Sequence, residues 1–200
     1  MHTQHLSRTA APWWRRAWWR LRRWLKPTRL DACRHFLVFS VETDELPRWD
    51  TPAADNAQQW PRLLQLAWVV IDRHGNIAEQ HTHDTTEGFS AVLKLFDQSL
   101  QRCDCIASHN ISFGINMIEV EALRHGTTAD WHRLPRICTM RESTEWCRLP
   151  HPTYIYKWPR LGELHMRLFD EPLTDDITAM SNALTTARCL AALLDMEIIR

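Results

Sequence analysis

Two segments constrain this chain more than any others: His35-Phe-Leu-Val-Phe-Ser-Val41 and Leu63-Leu-Gln-Leu-Ala-Trp-Val-Val-Ile71. Each is short, almost continuously apolar and rich in β-branched and aromatic residues, the pattern of a buried strand. Strands of this kind need covers on their faces, and the rest of the chain supplies them. A loop holding Pro47, Pro52 and Pro61 joins the two runs, and the turn His74-Gly-Asn76 sends Ile77 to Thr82 back as a hairpin. Ser90 to Leu100 has helical spacing, Cys105 to Ala107 is a short strand ending at Ser108-His-Asn110, and Ser112 to His125 reads as a helix stopped by Gly126. Ile137 starts another short element. Arg141 to Cys147, Leu161 to Phe169 and Thr178 to Leu194 are helical. This order predicts an α/β fold, a mixed sheet flanked by helices, with no internal repeat.

Two hundred residues suit one such domain with an extension. The zero formal charge hides an asymmetry. Residues 1–30 hold eight of the 24 basic residues and no acid, which leaves sixteen bases against 24 acids in 31–200. The chain is a +8 arm on a −8 body, and such a division points to an anionic surface or an acidic partner for the arm. Pro12 opens a helix and Pro27 closes it, so a helix over about 12–26 is expected. On it Trp13, Trp14, Ala17, Trp18, Leu21, Trp24 and Leu25 share one side, while Arg15, Arg16, Arg20, Arg22, Arg23 and Lys26 occupy the other, with Trp19 among the bases. The arm has three readings: docking on protein, whether this body, a partner chain or a second copy; lying on a membrane surface; or gripping nucleic acid, Arg on phosphates and Trp on bases. No segment reaches the roughly 20 apolar residues that span a bilayer, and arginines interrupt every run that would make a secretory signal. A cytoplasmic protein is expected, with peripheral membrane association as the alternative.

The six cysteines form no C-x-x-C pair, so a zinc ribbon is not expected. They read as free thiols in a reducing compartment, with Cys103 and Cys105 on one face of a short strand.

Six segments then occur in order: Val38-Phe-Ser-Val-Glu-Thr43, Trp60-Pro-Arg-Leu-Leu-Gln-Leu-Ala67, Ser108-His-Asn-Ile-Ser-Phe-Gly114, Ile137-Cys-Thr-Met140, Lys157-Trp-Pro-Arg-Leu-Gly-Glu-Leu164 and Ala179 to Leu190. Over about residues 35–195 the chain resembles the DEDDh 3′–5′ exonucleases, the group that includes the proofreading epsilon subunit of DNA polymerase III. The resemblance implies a ribonuclease H-like fold with a five-stranded mixed sheet. It also implies two-metal phosphodiester hydrolysis, in which a pair of divalent ions about 4 Å apart clamps the attacking and leaving oxygens. Hard ions of this kind need oxygen ligands.

Position by position, the family's four carboxylates and general base fall on Ser40, Glu42, Gly114, Asn182 and Ile177. Only Glu42 matches. Ser and Asn offer neutral oxygens, Gly offers no side chain, and Ile accepts no proton. No intact catalytic residue, metal or cofactor is therefore expected, and Ile177 is expected to add apolar packing. The chain reads as a pseudo-exonuclease, a binding or scaffolding subunit in nucleic-acid processing or defence. One alternative is an active exonuclease using Mg²⁺ or Mn²⁺ at a displaced site. Glu42 and Asp44 would hold the metal, helped by Glu119, Glu121, Asp175 or Asp176; as a group these acids otherwise read as solvated surface. The other alternative is a membrane-associated adaptor anchored by the N-terminal helix. His109 and Asn110 read as hydrogen-bonding residues that set their loop, and His81 and His83 as polar side chains on an exposed strand.

Overall fold

The His35 run becomes β1 (His35–Thr43), the middle strand of a five-stranded sheet. A computed structural model describes residues 30, 32–46, 57–86, 88–128, 134–173 and 177–199. The helix expected over 12–26, together with Asp175 and Asp176, lies outside them. The remaining strands are β2 (Leu63–Asp72), β3 (Ile77–Asp84), β4 (Cys105–Ser108) and β5 (Arg136–Cys138), in spatial order β3-β2-β1-β4-β5. β2 runs antiparallel to both β1 and β3, whereas β4 is parallel to β1 and β5 parallel to β4. The helices are α1 (Phe89–Leu100), α2 (Ile111–Arg124), α3 (Thr139–Cys147), α4 (Leu161–Phe169) and α5 (Ala179–Asp195), with one 3₁₀ turn at Ala57–Gln59 before β2.

The period-two alternation of the strands divides the core. Leu37 and Phe39 of β1 join Leu66, Trp68 and Val70 of β2 against α1 and α2. Phe36 and Val38 join Val69 and Ile71 against α4 and α5. A strand covered on both faces has no polar side to present, which explains the unbroken apolar runs. β3, at the edge, alternates instead. Its His81 and His83 are not simply solvated: both rings lie on the fully buried Trp68, with centroids 4.8 and 5.2 Å away. β1 runs two residues past the expected end because Glu42 still pairs with Gln65 and, across a bulge, Thr43 with Leu63.

The cysteines depart from expectation. Cys33 and Cys105 form a disulfide with Cα atoms 6.3 Å apart and a sequence separation of 72. Closing a loop of that length stabilises a fold by about 4 kcal/mol in the chain-entropy picture. Cys103 does not belong to β4. Asp104 accepts hydrogen bonds from the Arg34 and His35 amides, so the strand starts only after it, and the Cys103 side chain is left among the residues on the α1 and α2 side. Burial raises the Cys103 and Cys189 thiols to about 12, leaving them unreactive. Among the described residues no helix is long and apolar enough to cross a membrane.

Candidate functional site

β1 outruns its parallel neighbour. Pairing with β4 covers Phe36 to Val38 only; beyond that β1 continues while the other chain turns away at His109-Asn110 into α2. Among the described residues, the carboxyl end of β1 is therefore left without a strand partner on the β4 side, where antiparallel β2 gives way to parallel β4, and the space beside it is the candidate crevice. Such reversal points are where open α/β sheets place ligands.

Ser40 and Glu42 lie on this overhang, both half-buried, on the pleat face that Phe36 and Val38 present to α5. The start of α5 is fixed by a reciprocal cap: Thr178 Oγ1 accepts from the Ser181 amide at 3.1 Å, and Ser181 Oγ accepts from the Thr178 amide at 2.8 Å. Relative to that cap, Ile177 stands one residue outside the helix and Asn182 four residues inside. Chain entry at a capped helix brings these two positions together, the geometry a hydrophobic staple uses. The spacing of five thus has a structural cause. Ile177 is 71% exposed, so the packing role expected for it is not what the fold gives; it precedes the cap and stays outside the core.

Gly114 sits buried in the first turn of α2. A Cβ at this position would lie 2.6 Å from Phe39 Cε2 and 3.0 Å from Cζ. Phe39 is fully buried and meets Phe96 edge-on at 5.8 Å, so its ring can give way only by displacing packed neighbours. The first atom of any side chain at 114 would fall against that ring. As a donor set for two hard cations the crevice does not fit: one carboxylate, two neutral oxygens, and nothing at 114 or 177. Among the described residues no three His, Cys, Asp or Glu side chains converge.

Two of the acids considered for a displaced site, Asp44 and Glu121, have other partners. Asp44 lies past the end of β1, beyond the bulge that breaks the alternation after Glu42. Its Oδ1 accepts from the Arg62 amide at 2.8 Å and its own amide donates to the Arg62 carbonyl at 3.3 Å, tying the connection between β1 and β2. Glu121 is not surface at all: it is 1% exposed. It meets Arg124 at 2.7 Å, Arg62 at 3.3 Å and His125 at 3.4 Å, and accepts from the Leu63 amide at 3.4 Å. Arg124, itself 6% exposed, donates onward to the carbonyls of Ala57, Trp60 and Pro61. This clamp seats the chain that leads into β2. The signal in the sequence was an acid and a base three apart on a helix whose flanking Ile118, Val120 and Ala122 are apolar. Glu119 lies half-buried on the same helix.

His109 and Asn110 close the back of the crevice. The Pro159 carbonyl can only accept, so His109 Nε2 carries the proton and donates to it at 3.0 Å, while Nδ1 accepts from the Thr139 hydroxyl at 2.9 Å. Burial depresses the imidazole to about 4, and the bond to Pro159 pulls weakly the other way. A neutral ring used at both nitrogens positions its loop, as expected. Asn110 takes φ 66° at the entrance to α2.

Through Pro159 the same histidine anchors the segment between α3 and α4. There Trp158 is 60% exposed with the Arg141 guanidinium 5.8 Å above its ring, and Tyr154 and Ile155 project into solvent. Lys157 pairs with Glu163 to hold the segment against α4. The density of aromatics in Tyr154-Ile-Tyr-Lys-Trp158, between two helices, was the available sequence signal for this rim.

No protein-family model matches the sequence, and no curated protein matches it. Solved structures do match. A 3′-exonuclease studied in 3′-end-specific recognition of the histone mRNA stem-loop superposes with TM-score 0.63 at 8% identity, over 92% of this chain and 71% of that one. The nuclease domain of 3′hExo, described as a DEDDh family member and bound to rAMP, gives 0.60 at 9% identity over 82% of this chain and 94% of that domain. Exonuclease I in complex with an inhibitor gives 0.56 at 15% identity, over 80% of this chain but only 41% of its own length. Sheet order, flanking helices and these superpositions together give this chain the ribonuclease H-like fold of the DEDDh exonucleases.

Proposed function

We propose that the chain is a pseudo-exonuclease: a DEDDh fold, akin to the epsilon proofreading subunit, used to bind or scaffold rather than to hydrolyse. The observation that carries this reading is the Phe39 ring packed where a carboxylate on residue 114 would have to stand. A lost ligand that leaves a vacancy is one substitution from return; here the core has grown into the place. Ser40, Ile177 and Asn182 fit the same reading, because clustered carboxylates with no cation between them repel and raise one another's pKa.

The partner is a nucleic acid presented by, or together with, another protein chain or a second copy. Structural neighbours of this chain recognise an RNA stem-loop and act on 3′ ends. Trp158 beside Arg141, with Tyr154 nearby, offers a stacking surface with a cation at the edge of the crevice. The −8 body disfavours diffuse contact with phosphates, so contact is confined to this rim or to the basic arm.

The test pairs a manganese titration with a 3′-trimming assay on single-stranded oligonucleotides. The expected result is no thermal stabilisation by Mn²⁺ and no trimming. Metal-dependent trimming by the native chain that stops in Glu42→Gln, in protein free of host nucleases, would overturn the reading in favour of the displaced-site enzyme.

A further inference from the structure

On the face of the sheet opposite α1 and α2, the turn between β2 and β3 leans on the last helix and leaves a groove of about 430 Å³ beside it. Its floor is made of small residues: Gly75, Ala187, Ala191 and Ala192. Gly75 has φ +85°, and a Cβ there would meet Ala191 Cβ at 3.0 Å, so the turn already rests on α5. Ile77, half-exposed, and Leu184 supply apolar walls. Phe169 completes them, with the Arg188 guanidinium 3.9 Å over its ring and held there by Glu171 at 2.9 Å. The outer side of a stacked guanidinium is flat and weakly hydrated, a surface suited to a further aromatic plane.

The described chain begins at the edge of this groove. Arg73, which lines it, donates to the Leu30 carbonyl at 3.2 Å, and Leu30 packs into the core on the α5 side. The segment before Leu30 is the one that carries five tryptophans and eight bases. From Lys26, where the expected helix ends, four residues of chain reach at most about 14 Å. The helix over 12–26 would itself be about 22 Å long. Its apolar face starts near the anchor with Trp24, Leu25 and Leu21. Each Trp has about 150–250 Å² to bury. A tether this short holds the segment at a local concentration in the millimolar range, and the sixteen-to-24 excess of acids in the body favours the approach of a +8 segment.

We infer that residues 12–26 dock in this groove of their own chain, tryptophans against the alanine floor and the Arg188 plate, bases outward. Arg15, Arg16, Arg20, Arg22, Arg23 and Lys26 are trypsin sites, and docking holds their backbone away from the opened form that a protease cleaves.

The experiment uses the full chain. Trypsin should cleave within 12–26 at least about ten-fold more slowly in the native protein than in Ala192→Arg, which puts a long cation into the groove. Leu184→Arg, at a different wall, should release the segment equally and guards against a local effect on α5. Each variant is compared only where its thermal transition shows the body folded. Equal cleavage of the native chain and both variants would overturn the inference. So would protection that vanishes on dilution, which would assign the segment to the groove of a second copy. Protection that arises only with anionic vesicles or with an oligonucleotide would overturn it too.

Discussion

The floor of the crevice and the Glu121–Arg124 clamp at the β1–β2 connection treat charge in opposite ways. On the floor, Glu42 stands as the one acid among five positions where an exonuclease of this fold would hold four acids and a base. In the clamp, Glu121 is deeply buried, with Arg124, Arg62 and His125 on its oxygens and three backbone carbonyls on Arg124 in turn. A buried ion is tolerable only when its partners are in place. In the clamp those partners are part of the fold. On the floor they would have to be metal ions, and four of the five positions hold neither an acid nor a histidine. The difference teaches that this fold keeps its buried charge for architecture.

The contrast can be tested where it should be strongest. Glu121→Ala leaves Arg124 buried beside three carbonyls without its counter-ion, and a loss of about 3–5 kcal/mol is expected in denaturant unfolding. A loss below about 1 kcal/mol would mean the clamp is not what seats the β1–β2 connection.

His109 extends the test to the back wall. Its folded-state value of about 4 lies below the unfolded one, so the unfolded chain binds the extra proton first. The stability held by the neutral ring is complete above about pH 6.5 and is lost as pH falls toward 4, by up to about 3 kcal/mol. His83 is shifted the same way by burial and by His81, so the comparison must be with His109→Gln, whose melting temperature should fall less between those pH values. Parallel curves for the two proteins would remove His109 from the account.

A smaller effect is expected on the floor. Gly114→Asp should destabilise by about 1–3 kcal/mol through overpacking against Phe39, and Phe39→Leu in the same chain should recover part of it. Additive losses in the double variant would show that the ring is not the obstacle. Least of all should change in Glu42→Gln: within about 0.5 kcal/mol, the ordinary range for a half-buried side chain with no hydrogen-bond partner among the described residues, and unaltered by millimolar Mg²⁺. A larger shift dependent on Mg²⁺ would restore a metal to the floor.

Much of the architecture could be read from the chain because it rests on local pattern. Leu161 to Phe169 is a helix with the bounds its spacing predicts, and the three strands of the β1–β2–β3 meander follow from apolar runs and a Gly turn. The positions of Ser40, Glu42, Gly114, Ile177 and Asn182 could be aligned because six segments keep their order. What could not be read depends on which side of the sheet a distant residue reaches. The Cys33–Cys105 bond needs β1 and β4 to be parallel neighbours, a fact of topology rather than of sequence near either cysteine. The Phe39 ring against Gly114 is a matter of packing between a strand and a helix 75 positions apart. Ile177 was expected inside because it is apolar, yet the cap at Thr178 sets its direction more strongly than its hydrophobicity does.

The sulfur bridge also decides how the molecule would bear a mechanical load. If whatever the arm holds is pulled away from the body, the tension reaches Cys33 and divides there. One share continues into β1 and the other crosses directly to the head of β4. Two adjacent parallel strands in the middle of the sheet would then resist together, and the body would move as a unit with its arm rather than unzip from its N-terminal end.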